Sequence, residues 1–176
     1  MLTIKNVFEA EKSISYFPEW SQPESETDYV WFDAPIEIRG VTETRLVLHG
    51  GCFSRLPERN VSFELRYQKT PGKRCLPIER VDWKSQGGHS NPRKPRSDWS
   101  GQRVSETHLH EFILNWSESK KRMRFGTLPK AREISTKLND FKSLREYAGN
   151  RFRINNIDVV SNPPWVYDFF TQGMMK

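Results

Sequence analysis

The chain has 176 residues, a net charge of +6 and 22 aromatic side chains (11 Phe, 5 Tyr, 6 Trp). That length suits one domain over residues 1–176, and the aromatic content excludes a disordered chain. No apolar run approaches the roughly 20 residues of a membrane span and no short apolar signal opens the chain, so a cytoplasmic protein with no membrane partner is expected. Cys52 and Cys75 form no Cys-x-x-Cys pair and are expected as reduced thiols rather than a disulfide framework.

Met1 to Phe17 carries Val7, Phe8, Ile14 and Phe17 between charges, which suggests a short helix capped by Thr3 and stopped by Pro18. Ser21 to Asp28 is polar and acidic and reads as a loop. Four strand candidates follow: Tyr29–Phe32, Ile36–Arg39, Arg45–His49 and Val61–Gln68. Turns are expected at Gly40, Gly50-Gly51 and Pro71-Gly72. Leu76–Trp83 is a further strand, ended by Gly87-Gly88. Beyond Arg124 the period changes, and Ile134, Leu138, Phe141, Leu144, Ala148 and Phe152 predict a helix over Ser135–Asn150 with Gly149 and Asn150 as its stop. Ile154 to Val160 reads as a last extended segment. The fold class is α+β: an antiparallel sheet of about five to seven strands, with the C-terminal helix and the N-terminal one packed on one face.

Three of the four histidines fall within Val81–Trp116, as His89-Ser-Asn91 and His108-Leu-His110. At a period of two, Thr107–Trp116 places His108, His110, Phe112, Leu114 and Trp116 on one strand face, which puts the histidines at the rim of a buried face. If this strand pairs with Leu76–Trp83, the insert from Ser90 to Ser105 returns the chain and brings His89 to the other two. His49 has no companion nearby and is left out of this site. Three imidazoles at a strand end can act as acid and base on a phosphodiester or hold a divalent ion with one position open. They can also be half-buried strand residues bonded to backbone. Asp82, Asn91 and Glu106 are the candidates to orient the rings.

Residues 1–72 carry a charge of −3, residues 73–130 carry +7 and residues 131–176 carry +2, so the positive excess coincides with the histidines. Arg93, Lys94, Arg96 and Arg103 around Trp99 combine cations with an aromatic platform, the pattern that grips single-stranded nucleic acid; the plainer reading is a solvated basic loop anchored by Trp99. Lys120, Lys121, Arg122 and Arg124 read as a solvated hairpin tip. Because Asp82 and Glu106 are outnumbered by these cations, and Arg80, two residues from Asp82 on the same strand face, is placed to claim that carboxylate, an anion is expected between the histidines ahead of a metal, and no cofactor is implied.

Glu79-Arg-Val-Asp82, His89-Ser-Asn91-Pro92, Thr107-His-Leu-His110 and the closing Pro163-Pro164 resemble an uncharacterised family of small bacterial proteins with His-x-Asn-Pro and His-x-His motifs, over about Val61–Phe170. The chain is more loosely similar to TumE-like toxins of toxin–antitoxin operons, although His89-Ser-Asn91 stands where those carry adjacent histidines. The resemblance implies bacterial origin and a conflict or mobile-element role and carries no catalytic assignment; the residues themselves suggest a toxin-like protein that binds RNA and cleaves it, with His89, His108 and His110 as acid, base or phosphate ligands and a cognate antitoxin or other protein partner. The alternatives are a divalent-metal-binding protein using the same histidines and a non-enzymatic protein interaction module.

Overall fold

The computed structural model of the protein describes residues 3–68, 75–93, 99–124 and 128–167. Seven strands form one antiparallel sheet in the order β1-β2-β3-β4-β5-β8-β11, from Ser13–Ile14 (β1), Tyr29–Ile38 (β2), Val41–Phe53 (β3), Val61–Tyr67 (β4), Leu76–Trp83 (β5), His108–His110 (β8) and Arg132–Glu133 (β11). Two small pairs stand apart: His89–Ser90 (β6) with Arg103–Val104 (β7), and Trp116–Ser117 (β9) with Arg122–Met123 (β10). Among the described residues the α-helices are Ile4–Glu9 (α1), Phe112–Asn115 (α2) and Phe141–Phe152 (α3), followed by a 3-10 turn at Ile157–Val159. This is the expected α+β fold. No helix among the described residues is long and apolar enough to cross a membrane.

Alternation decides which face is the core. Phe32, Leu48, Phe63, Leu65, Val81 and Leu109 point to one side, where α3 packs; Phe141 lies tilted against Phe63 with ring centroids 5.8 Å apart. The helix begins later than its apolar stripe suggests, because Asp140 accepts from Ser143 N and the Ser143 hydroxyl accepts from Asp140 N, a reciprocal cap that fixes the start. It runs past Gly149 and Asn150 and ends at Arg153 in the left-handed conformation (φ 56°). Gly149 is there for close approach, since a Cβ would stand 2.5 Å from Ile157 Cγ2.

Other boundaries move for equally local reasons. Thr3 caps α1 as expected, but the helix stops at Glu9, and Ser13–Ile14 becomes the edge strand paired with Ile36–Glu37. The two candidates Tyr29–Phe32 and Ile36–Arg39 merge into β2, with a register shift between Pro35 and Ile36. Gly50-Gly51 is no turn: both glycines sit inside β3, because the Phe32 ring occupies the space a Cβ would need at one and the Tyr29 phenol, hydroxyl foremost, at the other. Gly40 (φ 74°) and Gly87-Gly88 (φ 83° and 64°) are turns as expected. The segment after α3 forms a bridge at Ile154 and the 3-10 turn rather than a strand. Pro71 and Gly72 lie outside the described residues.

The strand expected over Thr107–Trp116 is the main correction. Of that span only His108–His110 and the last residue, Trp116, which opens β9, are strand; between them the chain turns into α2, where buried Asn115 donates to the carbonyls of Glu111 (2.9 Å) and Lys130 (2.8 Å). His108 and His110 therefore do not share a face with Phe112, Leu114 and Trp116. Leu109 takes the core side, and the two histidines point the opposite way.

Candidate functional site

Strand register assembles half of the site. Asp82 lies opposite His108 and Arg80 opposite His110, so two period-two pairs, Arg80-x-Asp82 and His108-x-His110, face the same side of neighbouring strands. Arg80 Nε donates to Asp82 Oδ2 (2.9 Å), as the spacing suggested, and Arg80 Nη2 donates to His110 Nε2 (2.7 Å). The same Asp82 oxygen is 3.1 Å from His108 Nε2 and 3.2 Å from His110 Nε2.

The other half is an arm and a backbone segment laid over that face. Gly87-Gly88 turns the chain into β6, and His89 reaches back so that its ring centroid is 5.6 Å from that of His108 and 4.6 Å from that of His110. Residues 128–131 close the far side and supply carbonyls. His110 Nδ1–H donates to Leu128 O (2.5 Å) and His89 Nε2–H to Pro129 O (2.9 Å), while His108 Nδ1–H donates to Ser105 O (2.8 Å). Each ring thus has one nitrogen fixed on a backbone carbonyl and one turned inward. One nitrogen from each ring forms a set in which no two lie more than 4.8 Å apart.

These rings are buried rather than at a rim: His110 is fully enclosed, His108 nearly so, and His89 half-exposed. Burial lowers the pKa of His110, with the neighbouring Asp82 carboxylate acting against it, and burial likewise lowers that of His89 against the Pro129 carbonyl. For Asp82 burial pushes upward, but the adjacent His108 and His110 rings and the charge of Arg80 outweigh it and hold the carboxyl well below its usual range.

The orienting residues divide. Asp82 touches two rings directly. Asn91 directs its hydrogen bonds elsewhere; it is buried and brackets Ala131, accepting from its N–H (2.7 Å) and donating to its carbonyl (2.9 Å), which fixes the segment bearing the Leu128 and Pro129 carbonyls. Glu106 is exposed, and the three ring nitrogens fixed on carbonyls do not use it; its own carbonyl receives Ser85 N and Oγ (2.8 and 3.0 Å). Of the basic insert, Arg93 and Arg103 are exposed and Trp99 is half-buried, while Lys94 and Arg96 lie outside the described residues.

Two participants escaped the sequence reading. Arg80 was visible only as a claimant on Asp82; register with His110 makes it part of the site. The carbonyls of Ser105, Leu128 and Pro129 have no side-chain signature at all. His49 stays outside the cluster, bonded through Nδ1 to Asp33 Oδ1 (2.8 Å), yet the cross-strand row Asp33, His49, Glu64, Arg80, His110 places it on the same sheet face.

Fold and site together define an α+β protein with a buried three-histidine cluster beside an aspartate–arginine pair. Comparison of the chain with protein-family models, curated proteins and solved structures found no match. Its chemistry is therefore read from the geometry.

Proposed function

We propose that the chain is a divalent-metal-binding protein in which His89, His108 and His110 are the ligands and a fourth position stays open. The observation that carries this reading is the set of three carbonyl bonds. A metal-ligating histidine gives its spare N–H to a carbonyl or carboxylate, which fixes the tautomer and aims the other lone pair at the ion. All three rings meet that requirement. The sequence expectation ranked an anion above a metal by counting side-chain acids, and backbone carbonyls were missing from that count.

Zinc-type bonds of about 2.0–2.1 Å set donor atoms roughly 3.3 Å apart in a tetrahedron. His108 and His110 are held in the sheet, whereas His89 is carried on the separate β6–β7 pair, the part free to adjust to an ion. Asp82 Oδ2, at 3.1 and 3.2 Å from two of the ligand nitrogens, supplies a negative charge beside the ion and an acceptor for a water in the open position. A His-only ligand set with one free corner is the kind of site that activates water. The test is metal content of protein purified without a histidine tag and without added metal. One divalent ion per chain, lost in each of His89→Ala, His108→Ala and His110→Ala, is the expected result; protein that takes no stoichiometric metal even on titration overturns it.

A second reading keeps the toxin-like RNA-binding and cleaving function. One observation favours it: with Nδ1–H given to Ser105, the His108 Nε2 that faces Asp82 needs a positive occupant between them, and a proton serves as well as a metal. His108 would then be the acid and neutral His110 the base on a phosphodiester. RNA cleavage that persists in chelator supports this reading against the metal one.

A further inference from the structure

We propose that the metal-loaded site binds a phosphoryl dianion, and that Arg80 is the residue that grips it. The inference rests on the metal reading above. It starts from the two bonds that Arg80 makes, Nε to Asp82 Oδ2 (2.9 Å) and Nη2 to His110 Nε2 (2.7 Å). The His110 lone pair can serve a guanidinium N–H or a dication, and it cannot serve both. When the ion takes that lone pair, Nη2 loses its acceptor and is repelled by the new charge, whereas the Nε bond to the Asp82 carboxylate remains. The guanidinium is then tethered beside the ion with Nη2 released from its protein acceptor.

The acid facing Arg80 across the ladder does not replace the lost acceptor without cost. Glu64, directly opposite Arg80 on β4, is already paired with Arg66 Nη2 at 3.1 Å. The Arg80 side chain remains 35% exposed, so an incoming ligand can reach it.

Charge names the ligand class. Three neutral imidazoles, a dication, Arg80 and Asp82 leave the loaded site with two net positive charges. A phosphoryl dianion cancels both, a carboxylate or phosphodiester cancels one, and a neutral sugar or amide cancels none. Shape agrees, because the planar guanidinium fork presents paired N–H groups to two oxygens of a tetrahedral oxyanion while a third oxygen meets the ion. The inorganic ion and the terminal phosphate of a monoester share this chemistry.

The experiment uses the full, untagged chain loaded with Co2+. Inorganic phosphate, phenyl phosphate, dimethyl phosphate and acetate are each titrated in, followed by the cobalt visible bands and by calorimetry. Phosphate and the monoester are expected to bind more tightly than the diester or acetate. If phosphate binds and phenyl phosphate does not, the site takes the free ion; if both bind, it takes monoesters. In Arg80→Met, phosphate affinity should fall roughly 10-fold or more, the loss expected when a hydrogen bond to a charged group is removed. Cobalt affinity should hold or rise there, since the competing N–H is gone. Arg80→Lys, which keeps the charge without the fork, should lie between. Equal phosphate binding in wild type and Arg80→Met, or acetate binding as tightly as phosphate in the wild type, overturns the proposal. Cobalt retained without phosphate binding also sinks it and leaves the metal reading standing, whereas failure to retain cobalt at all sinks both.

Discussion

Replacing Asn91 by Ala tests how the site is held, because the Asn91 side chain directs its hydrogen bonds to Ala131 rather than to a histidine. Its side chain makes two bonds to the fully buried Ala131, 2.7 Å to the N–H and 2.9 Å to the carbonyl. Truncation leaves a buried donor and a buried acceptor without partners at about 1–3 kcal/mol each, so a loss of roughly 2–4 kcal/mol of unfolding free energy is expected, with partial relaxation keeping the sum below its upper bound. The same change loosens the segment carrying the Leu128 and Pro129 carbonyls that orient His110 and His89. Metal affinity should therefore fall about 10- to 100-fold, as it does when outer partners of ligating histidines are removed. Urea unfolding gives the first quantity and competition with a chromophoric chelator the second. Ser90→Ala, an exposed neighbour on the same arm, is the control and should stay within about 0.5 kcal/mol. A loss below about 1 kcal/mol with metal affinity unchanged would refute the clamp role.

Arg151→Met should destabilise by about 3–5 kcal/mol, because it leaves the Glu79 carboxylate, 2.7 Å from Arg151 and fully buried, without its cation. Adding Glu79→Gln should recover part of that loss, and an additive double variant on urea unfolding would contradict the pairing. His89→Ala, on the half-exposed arm, should cost less stability than His108→Ala or His110→Ala, which vacate buried positions; equal costs would argue that the arm is packed like the sheet. The folded pKa of His110 lies below its ordinary 6.5, so the unfolded chain binds more protons between the two values and stability falls as pH drops through that window. The difference in urea midpoint between wild type and His110→Gln should accordingly shrink from about pH 7.5 to about pH 5; a constant difference would exclude the buried neutral ring. If the basic insert binds single-stranded RNA, affinity should fall with salt by roughly 0.7 logarithmic units per decade for each phosphate neutralised, and a flat salt profile counts against it.

Much of the sheet was legible because alternation survives where one face is buried: Val61–Gln68 and Leu76–Trp83 fall almost residue for residue on β4 and β5. The convergence of three histidines was also legible, since a glycine turn and a neighbouring strand leave His89 few other places to go. The face was not. Leu114 and Trp116 continue the alternation of His108 and His110 on paper, but Asn115 satisfies carbonyls on two segments and turns the chain into a helix, a tertiary bond with no local period. Gly50-Gly51 misled for a similar reason: a glycine pair marks a turn unless a distant ring needs the space of the missing side chain, and Phe32 and Tyr29 both do. The carbonyls that orient the histidines belong to residues whose identities carry no information about that role.

The union of a sheet-borne half and an arm-borne half has a consequence for how the site comes into being. His108, His110, Asp82 and Arg80 are brought together by antiparallel neighbours that form with the sheet itself, whereas His89 arrives only when the chain between Trp83 and His108 closes on residues 128–131. An ion bound by all three rings would act as a staple across that closure, and the chain entropy of the excursion would be charged against binding and returned as protection. Backbone amides of β6 and β7 should then slow their exchange with solvent deuterium on metal addition far more than those of β4 and β5, which the sheet protects already.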